Sequence, residues 1–148
     1  MLDRKLVCLV MLAATAAQAE NWVVLRPVPT GYGQPPGILI DTDSIVVFES
    51  GLRQARTKLD FLGRWDATPL EPNALTFMEF VEAYDCAKDR KQNVASIATL
   101  ADGSRNSRLN PNRSNWSPHA SNPAADPAFG YVCQWPAPVR VPDHSSGG

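Results

Sequence analysis

The sequence predicts an α+β fold: a six-stranded antiparallel β-sheet followed by a single C-terminal helix, with one disulfide. Three observations carry this. Six β-rich runs follow one another with short turns between them, the pattern of a meander rather than of alternating strands and helices. A single helix signature lies near the C-terminus, with proline and capping residues at its start. Two cysteines, Cys86 and Cys133, remain in a chain expected to be exported, the even number that suits one disulfide.

Residues 1–19 have the form of a secretory signal peptide. A short charged start (Asp3, Arg4, Lys5) leads into an apolar run over residues 6–14, and the small-residue site Ala17-Gln18-Ala19 closes it. The run is too short to cross a bilayer, which takes about 20 residues. Cys8 lies inside that run with Val7 before it, so it makes no lipobox and is expected to leave with the signal. The expected product is a mature chain without lipid or transmembrane segment, placed in the periplasm, at the cell surface or outside the cell. Within it, residues 20–135 form one domain. Residues 136–148, with three prolines and a Ser-Ser-Gly-Gly end, are expected to be a disordered tail.

The full chain carries 14 Lys and Arg against 15 Asp and Glu. Without Asp3, Arg4 and Lys5, 12 basic and 14 acidic residues remain. So even a balance gives no footing for a nucleic-acid partner or an anionic membrane.

Taken in order, residues 21–26 (Asn21-Trp22-Val23-Val24-Leu25-Arg26) form the first strand, which Pro27 and Pro29 stop. Residues 38–40 and 45–48 read as two strands joined by a tight turn, Asp41-Thr42-Asp43-Ser44, whose side chains can bond the turn backbone. Residues 53–61 show the cleanest alternation. Ala55, Thr57, Leu59 and Phe61 point to the core, and Gln54, Arg56, Lys58 and Asp60 to water.

Residues 76–86 are the longest strand, dominated by β-branched and aromatic residues without Gly or Pro. Met78, Phe80, Glu82, Tyr84 and Cys86 share one of its faces and Phe77, Glu79, Val81, Ala83 and Asp85 the other. Neither face is fully polar, which marks an interior strand. A turn at 87–89 leads into the sixth strand, residues 90–100. The polar stretch 104–118 reads as a loop anchored by Trp116. Pro123 or Pro127 then opens a helix running to about Gln134, with Asn122 or Asp126 as its N-cap. Met78, Phe80 and Tyr84 are the expected floor beneath it, and Phe129 and Val132 its underside.

Motifs for chemistry are sparse. The run from Ile38 to Ile45 has the outline of an Asp-x-Asp phosphatase box. That chemistry needs a parallel strand in a doubly wound sheet and further acidic metal ligands, whereas here a second apolar run follows at once. An EF-hand lacks its central Gly and terminal Glu. His119 and His144 are the histidines of the chain, in a loop and the tail, and both mature cysteines are expected to be oxidised. Glu79 and Glu82 lie on opposite faces and form no carboxylate pair, Glu82 being expected at the rim, bonded to a neighbour. No catalytic residue, metal ligand or cofactor is expected. The candidate binding positions are the outward residues Gln54, Arg56, Lys58 and Asp60.

The run Ile40-Asp41-Thr42-Asp43-Ser44-Ile45, the aromatic strand ending Tyr84-Asp85-Cys86, Trp116 with Pro118, and Val132-Cys133 resemble, in order and spacing, the bacterial surface-adhesin protein E-like family. The resemblance runs from about Trp22 to Cys133. It implies a six-stranded antiparallel sheet with its C-terminal helix tethered across one face by Cys86–Cys133. Ile40, Asp41, Ser44, Ile45, Tyr84, Trp116 and Pro118 are its structural signature. It also implies a non-enzymatic envelope or surface protein, since named members adhere to host extracellular-matrix proteins. A protein partner is therefore expected, and a periplasmic assembly or maintenance role without adhesion is the alternative.

Overall fold

The structure is a computed structural model that describes residues 20–27, 35–62, 71–109, 115–119, 126–136 and 142–143. Residues 1–19, expected to be a signal peptide, residues 63–70, Asn122, Pro123, His144 and most of the expected tail lie outside the described residues. Strands β1 (Trp22–Arg26), β2 (Gly37–Val47), β3 (Arg53–Asp60), β4 (Leu75–Asp85), β5 (Arg90–Leu100) and β6 (Arg105–Leu109) pair in that order. Every pairing is antiparallel. A two-residue strand β7 (Ser117–Pro118) pairs with β5 at Arg90 and Lys91. Helix α1 (Pro127–Gln134) closes the domain on one face. No helix among the described residues is long and apolar enough to cross a membrane.

The six-strand count holds, but its members differ from the expectation at two places. Residues 38–48 are not two strands around a tight turn. Residues 38–47 belong to the single strand β2, a bridge at Phe48 follows it, and the turn residues form a bulge within it. Between the pairs Asp41↔Arg56 and Val46↔Gln54, β2 advances five residues while β3 advances two. Ser44 fills the gap. Its Oγ donates to the Asp41 carbonyl at 2.6 Å and accepts from the Arg56 amide at 2.7 Å, replacing a lost ladder bond. Asp41 Oδ1 accepts from the Asn21 and Asp43 amides at 3.1 and 3.2 Å, so this oxygen is spent on backbone.

The second correction is β6. Residues 105–109 form a strand where a loop is expected, because hydrogen bonding to β5 sets their conformation while all five side chains stay exposed. No burial pattern marks such a strand in the sequence.

The core lies between α1 and the sheet. Ile40, Ala55, Tyr84, Phe129 and Val132 make one buried cluster, with Val23, Leu25, Ile45 and both cysteines packed around it. The Tyr84 and Phe129 rings meet edge to face, with centroids 5.9 Å apart. Tyr84 is thus the floor under the helix, as expected. Met78 and Phe80 are half-buried and outside the cluster. Eight residues span about 12 Å, so the helix covers the Tyr84 end of β4 and stops short of them.

So short a helix is marginal alone, and contacts hold it at both ends. Asp126 caps the start, its Oδ1 accepting from the Phe129 amide at 3.3 Å, with Pro127 at the first position. At the other end the Arg53 guanidinium donates to the Val132 and Trp135 carbonyls, both at 2.7 Å. The Cys86–Cys133 disulfide ties the last turn to the end of β4. Asp143 further along the chain accepts from the Ser50 amide and hydroxyl, both at 2.8 Å.

Replacing Cys133 by Ser should destabilise the domain by about 2–5 kcal/mol. Hydrogen exchange should show the amides of α1 opening before those of β3 and β4. Denaturant unfolding with the wild-type midpoint would contradict the tether.

Candidate functional site

Two residues of β4 decide what each face of the sheet can do. Glu82 points to the helix side and Glu79 to the other, and each is only 8% exposed. A carboxylate so placed needs donors around it, and the neighbouring strands supply them. Glu82 is therefore no rim residue: it sits under the helix edge, bonded on three sides.

On the helix side, Glu82 Oε2 accepts from the Thr57 hydroxyl at 3.0 Å and the Tyr84 hydroxyl at 2.8 Å. Its Oε1 accepts from Lys91 at 3.0 Å. The Lys91 ammonium also reaches Asp126 Oδ2 at 2.9 Å, linking the buried carboxylate to the helix cap. His119 stacks on Phe129 with centroids 4.0 Å apart, and its Nδ1 lies 3.7 Å from Asp126 Oδ2. Beside this cluster opens a groove of about 370 Å³, walled by Ile38, Leu59, Phe80, Pro118 and Ala128. Burial alone would lower the Lys91 pKa, but the two carboxylates outweigh it and the net shift is upward. Burial, then the Glu82 charge, push the Tyr84 phenol well above its ordinary range.

These groups bond one another. The one hydroxyl lining the groove, that of Thr57, donates to Glu82 rather than to a base, and among the described residues no three His, Cys, Asp or Glu side chains converge to hold a metal ion. The helix-side cluster is built to hold the helix.

The other face carries a ladder of charges running from Glu20, the first described residue, to β6. Glu79 accepts from Arg56 at 3.1 Å and from Arg105, which reaches across β5, at 2.8 Å. Arg56 extends to Asp41 at 3.4 Å and to Glu20 at 2.8 Å, and Glu20 in turn accepts from the Trp22 indole at 2.8 Å. That indole bond, then Arg56, hold the Glu20 carboxyl below its usual value. Burial works against the Arg56 charge, but its carboxylate partners raise its pKa overall.

Lys58 sits over two rings, 4.0 Å from the Trp22 centroid and 5.5 Å from that of Phe77. Glu20, Lys58, Phe77, Glu79, Thr99 and Arg105 enclose an open cleft of about 300 Å³. Val24, 58% exposed, stands nearby on β1, paired with Leu39 on the same face. At the far end Arg90 pairs with Asp85 at 3.0 Å and covers the Trp116 ring at 4.8 Å, so Trp116 anchors its segment to this face.

The candidate binding residues therefore fall together on the helix-free face, but not as a water-facing row. Gln54, Arg56, Lys58 and Asp60 are all half-buried, and Arg56 is committed to three carboxylates. The signature residues serve the scaffold: Ile40 and Tyr84 in the core, Ile45 against it, Asp41 and Ser44 at the bulge, Pro118 in β7. Glu20, Trp22, Phe77, Lys91, Arg105 and the role of Glu79 are not marked by any local pattern in the sequence. The hairpin at 87–89 held a clue to one of them, since it sets Lys91 opposite Tyr84 and hence beside Glu82. The chain matches no family model, no curated protein and no solved structure.

The helix-side cluster has a pH signature. Tyr84 and Lys91 both have raised folded-state pKa values, so their contributions are intact below the unfolded values of 10.0 and 10.5 and are lost as pH rises past them. Unfolding free energy should fall from about pH 10 upward, and Tyr84→Phe, costing about 2 kcal/mol at neutral pH, should flatten that fall. An equally steep alkaline loss in the Tyr84→Phe variant would contradict the assignment.

Proposed function

We propose that this is an exported, non-enzymatic binding protein of the bacterial envelope, of the surface-adhesin E-like kind, that meets a protein partner across the helix-free face of its sheet. One observation carries the reading. That face gathers Phe77, Lys58 and Arg105 around an open cleft, with the Trp22 ring beneath Lys58 and exposed Val24 beside it, and among the described residues no helix packs over it. Aromatic and arginine side chains with a few apolar neighbours are the composition of protein-binding surfaces.

The charge ladder supports this by fixing the surface in advance. Arg56 and Glu79 hold Glu20, Trp22 and Arg105 in place, so a partner meets side chains whose ordering cost is already met by folding. The ladder mixes both signs, which suits a protein rather than a polyanion. A disulfide between the helix and the sheet fits work in an oxidising compartment. Gln54, Arg56, Lys58 and Asp60 belong to this surface, with Lys58 the contact residue and Arg56 its support.

The test uses purified mature protein, immobilised and exposed to envelope extract and to host extracellular-matrix proteins. Val24→Asp alters an exposed side chain and should leave folding stability within about 0.5 kcal/mol of wild type. It should nevertheless abolish retention of the partner that the wild type holds. Equal retention by Val24→Asp and by Lys58→Glu would overturn the proposal. Labelling of intact cells then separates an exposed adhesin from a periplasmic factor.

A further inference from the structure

The two edges of the sheet are not alike. At β1 the register shifts between Val24 and Arg26, and the Arg26 guanidinium folds onto the Pro36 carbonyl at 3.0 Å, which blunts the edge for further pairing. At β6 the five pairs from Ala95↔Leu109 to Thr99↔Arg105 run without a shift. The strand has no Pro or Gly, and its outward row of backbone groups continues the sheet's ladder. Its side chains alternate between the two faces and all five are exposed, so among the described residues neither α1 nor any other segment covers it. Leu109 is 82% exposed, more than any other large apolar residue described.

We infer that the free edge of β6 takes an extended segment of another protein as an added antiparallel strand, with an acidic residue opposite Arg108 and an apolar residue opposite Leu109. Strand addition of this kind draws its affinity from backbone bonds and its selectivity from alternate side chains. Arg105 on β6 is turned inward to Glu79 at 2.8 Å. Arg108 is exposed and forms no ion pair among the described residues, so it is the charge the edge offers to a newcomer. β6 bears two arginines and no acid, which calls for an acidic strand.

A second copy of the chain fits less well. Antiparallel self-pairing over all five residues centres on Ser107, setting Leu109 against Arg105 and Arg108 against Asn106. It gives Arg108 no counter-charge and Leu109 no apolar neighbour. The inference needs only this edge and does not depend on where the protein resides or on binding at the helix-free cleft.

The probe is the synthetic peptide acetyl-TVDTTVT-amide, whose first valine and aspartate fall opposite Leu109 and Arg108 in antiparallel register. It is titrated into isotope-labelled mature protein while backbone amide shifts and hydrogen exchange are followed. Shifts and added protection should centre on residues 105–109. Arg108→Glu should weaken binding by about three- to tenfold, and the peptide with Lys in place of Asp should restore it. Thermal melting of Arg108→Glu at the wild-type temperature establishes that the edge is intact. No perturbation of β6 at millimolar peptide, or shifts confined to other strands, would overturn the inference. So would concentration-dependent protection of β6 without peptide, which assigns the edge to a second copy.

Discussion

The burial of Glu82 beneath the edge of α1 is the constraint on which the rest of the structure depends. A carboxylate in that position is tolerated only while hydrogen-bond donors and a counter-charge surround it. The donors come from three adjacent strands: Thr57 of β3, Tyr84 of β4 and Lys91 of β5. They reach it only if those strands keep their register, so one side chain checks the alignment of three. Lys91 then passes the constraint to Asp126, the cap of the helix. With the disulfide and Arg53 at the far end, a helix of eight residues is clamped at both termini and can bury Ala128, Phe129 and Val132.

Glu79 repeats the arrangement on the opposite face, with guanidinium groups in place of hydroxyls and an ammonium. The difference matters for function. On the helix side the polar groups close on one another and support a lid. On the helix-free side they spread outward across the strands and fix a surface of aromatic, basic and apolar side chains. One face of the sheet holds the helix, and the other carries the charge ladder and the open cleft on which the proposed binding role rests.

Much of this was legible in the sequence where one physical cause acted alone. The 76–86 and 90–100 strands follow from alternation and a short turn, and of the two helix starts the sequence leaves open, Asp126 with Pro127 is the one used. The Cys86–Cys133 bond is the pairing left once Cys8 is read as part of a signal peptide. What was not legible arose where causes compete. The Asp41–Ser44 run carries turn chemistry, yet pairing on both sides keeps it inside β2 as a bulge. β6 lacks any hydrophobic pattern because neither face is buried. The apparent water-facing row of β3 is drawn into a charge ladder whose partners Glu20, Asp41 and Glu79 lie on other strands or before them, beyond the reach of local pattern.

A double-mutant cycle on Glu82→Gln and Lys91→Met, read as unfolding free energy in denaturant at neutral pH, tests the role of the buried carboxylate most directly. If Glu82 is the buried charge that Lys91 sustains, the two substitutions are strongly non-additive, with a coupling of about 1 kcal/mol or more. Lys91→Met alone should be the more damaging single change, because it leaves Glu82 and Asp126 without their shared cation. Additive effects, agreeing within about 0.3–0.5 kcal/mol, would show that the helix and sheet are held together by other means and would contradict the account.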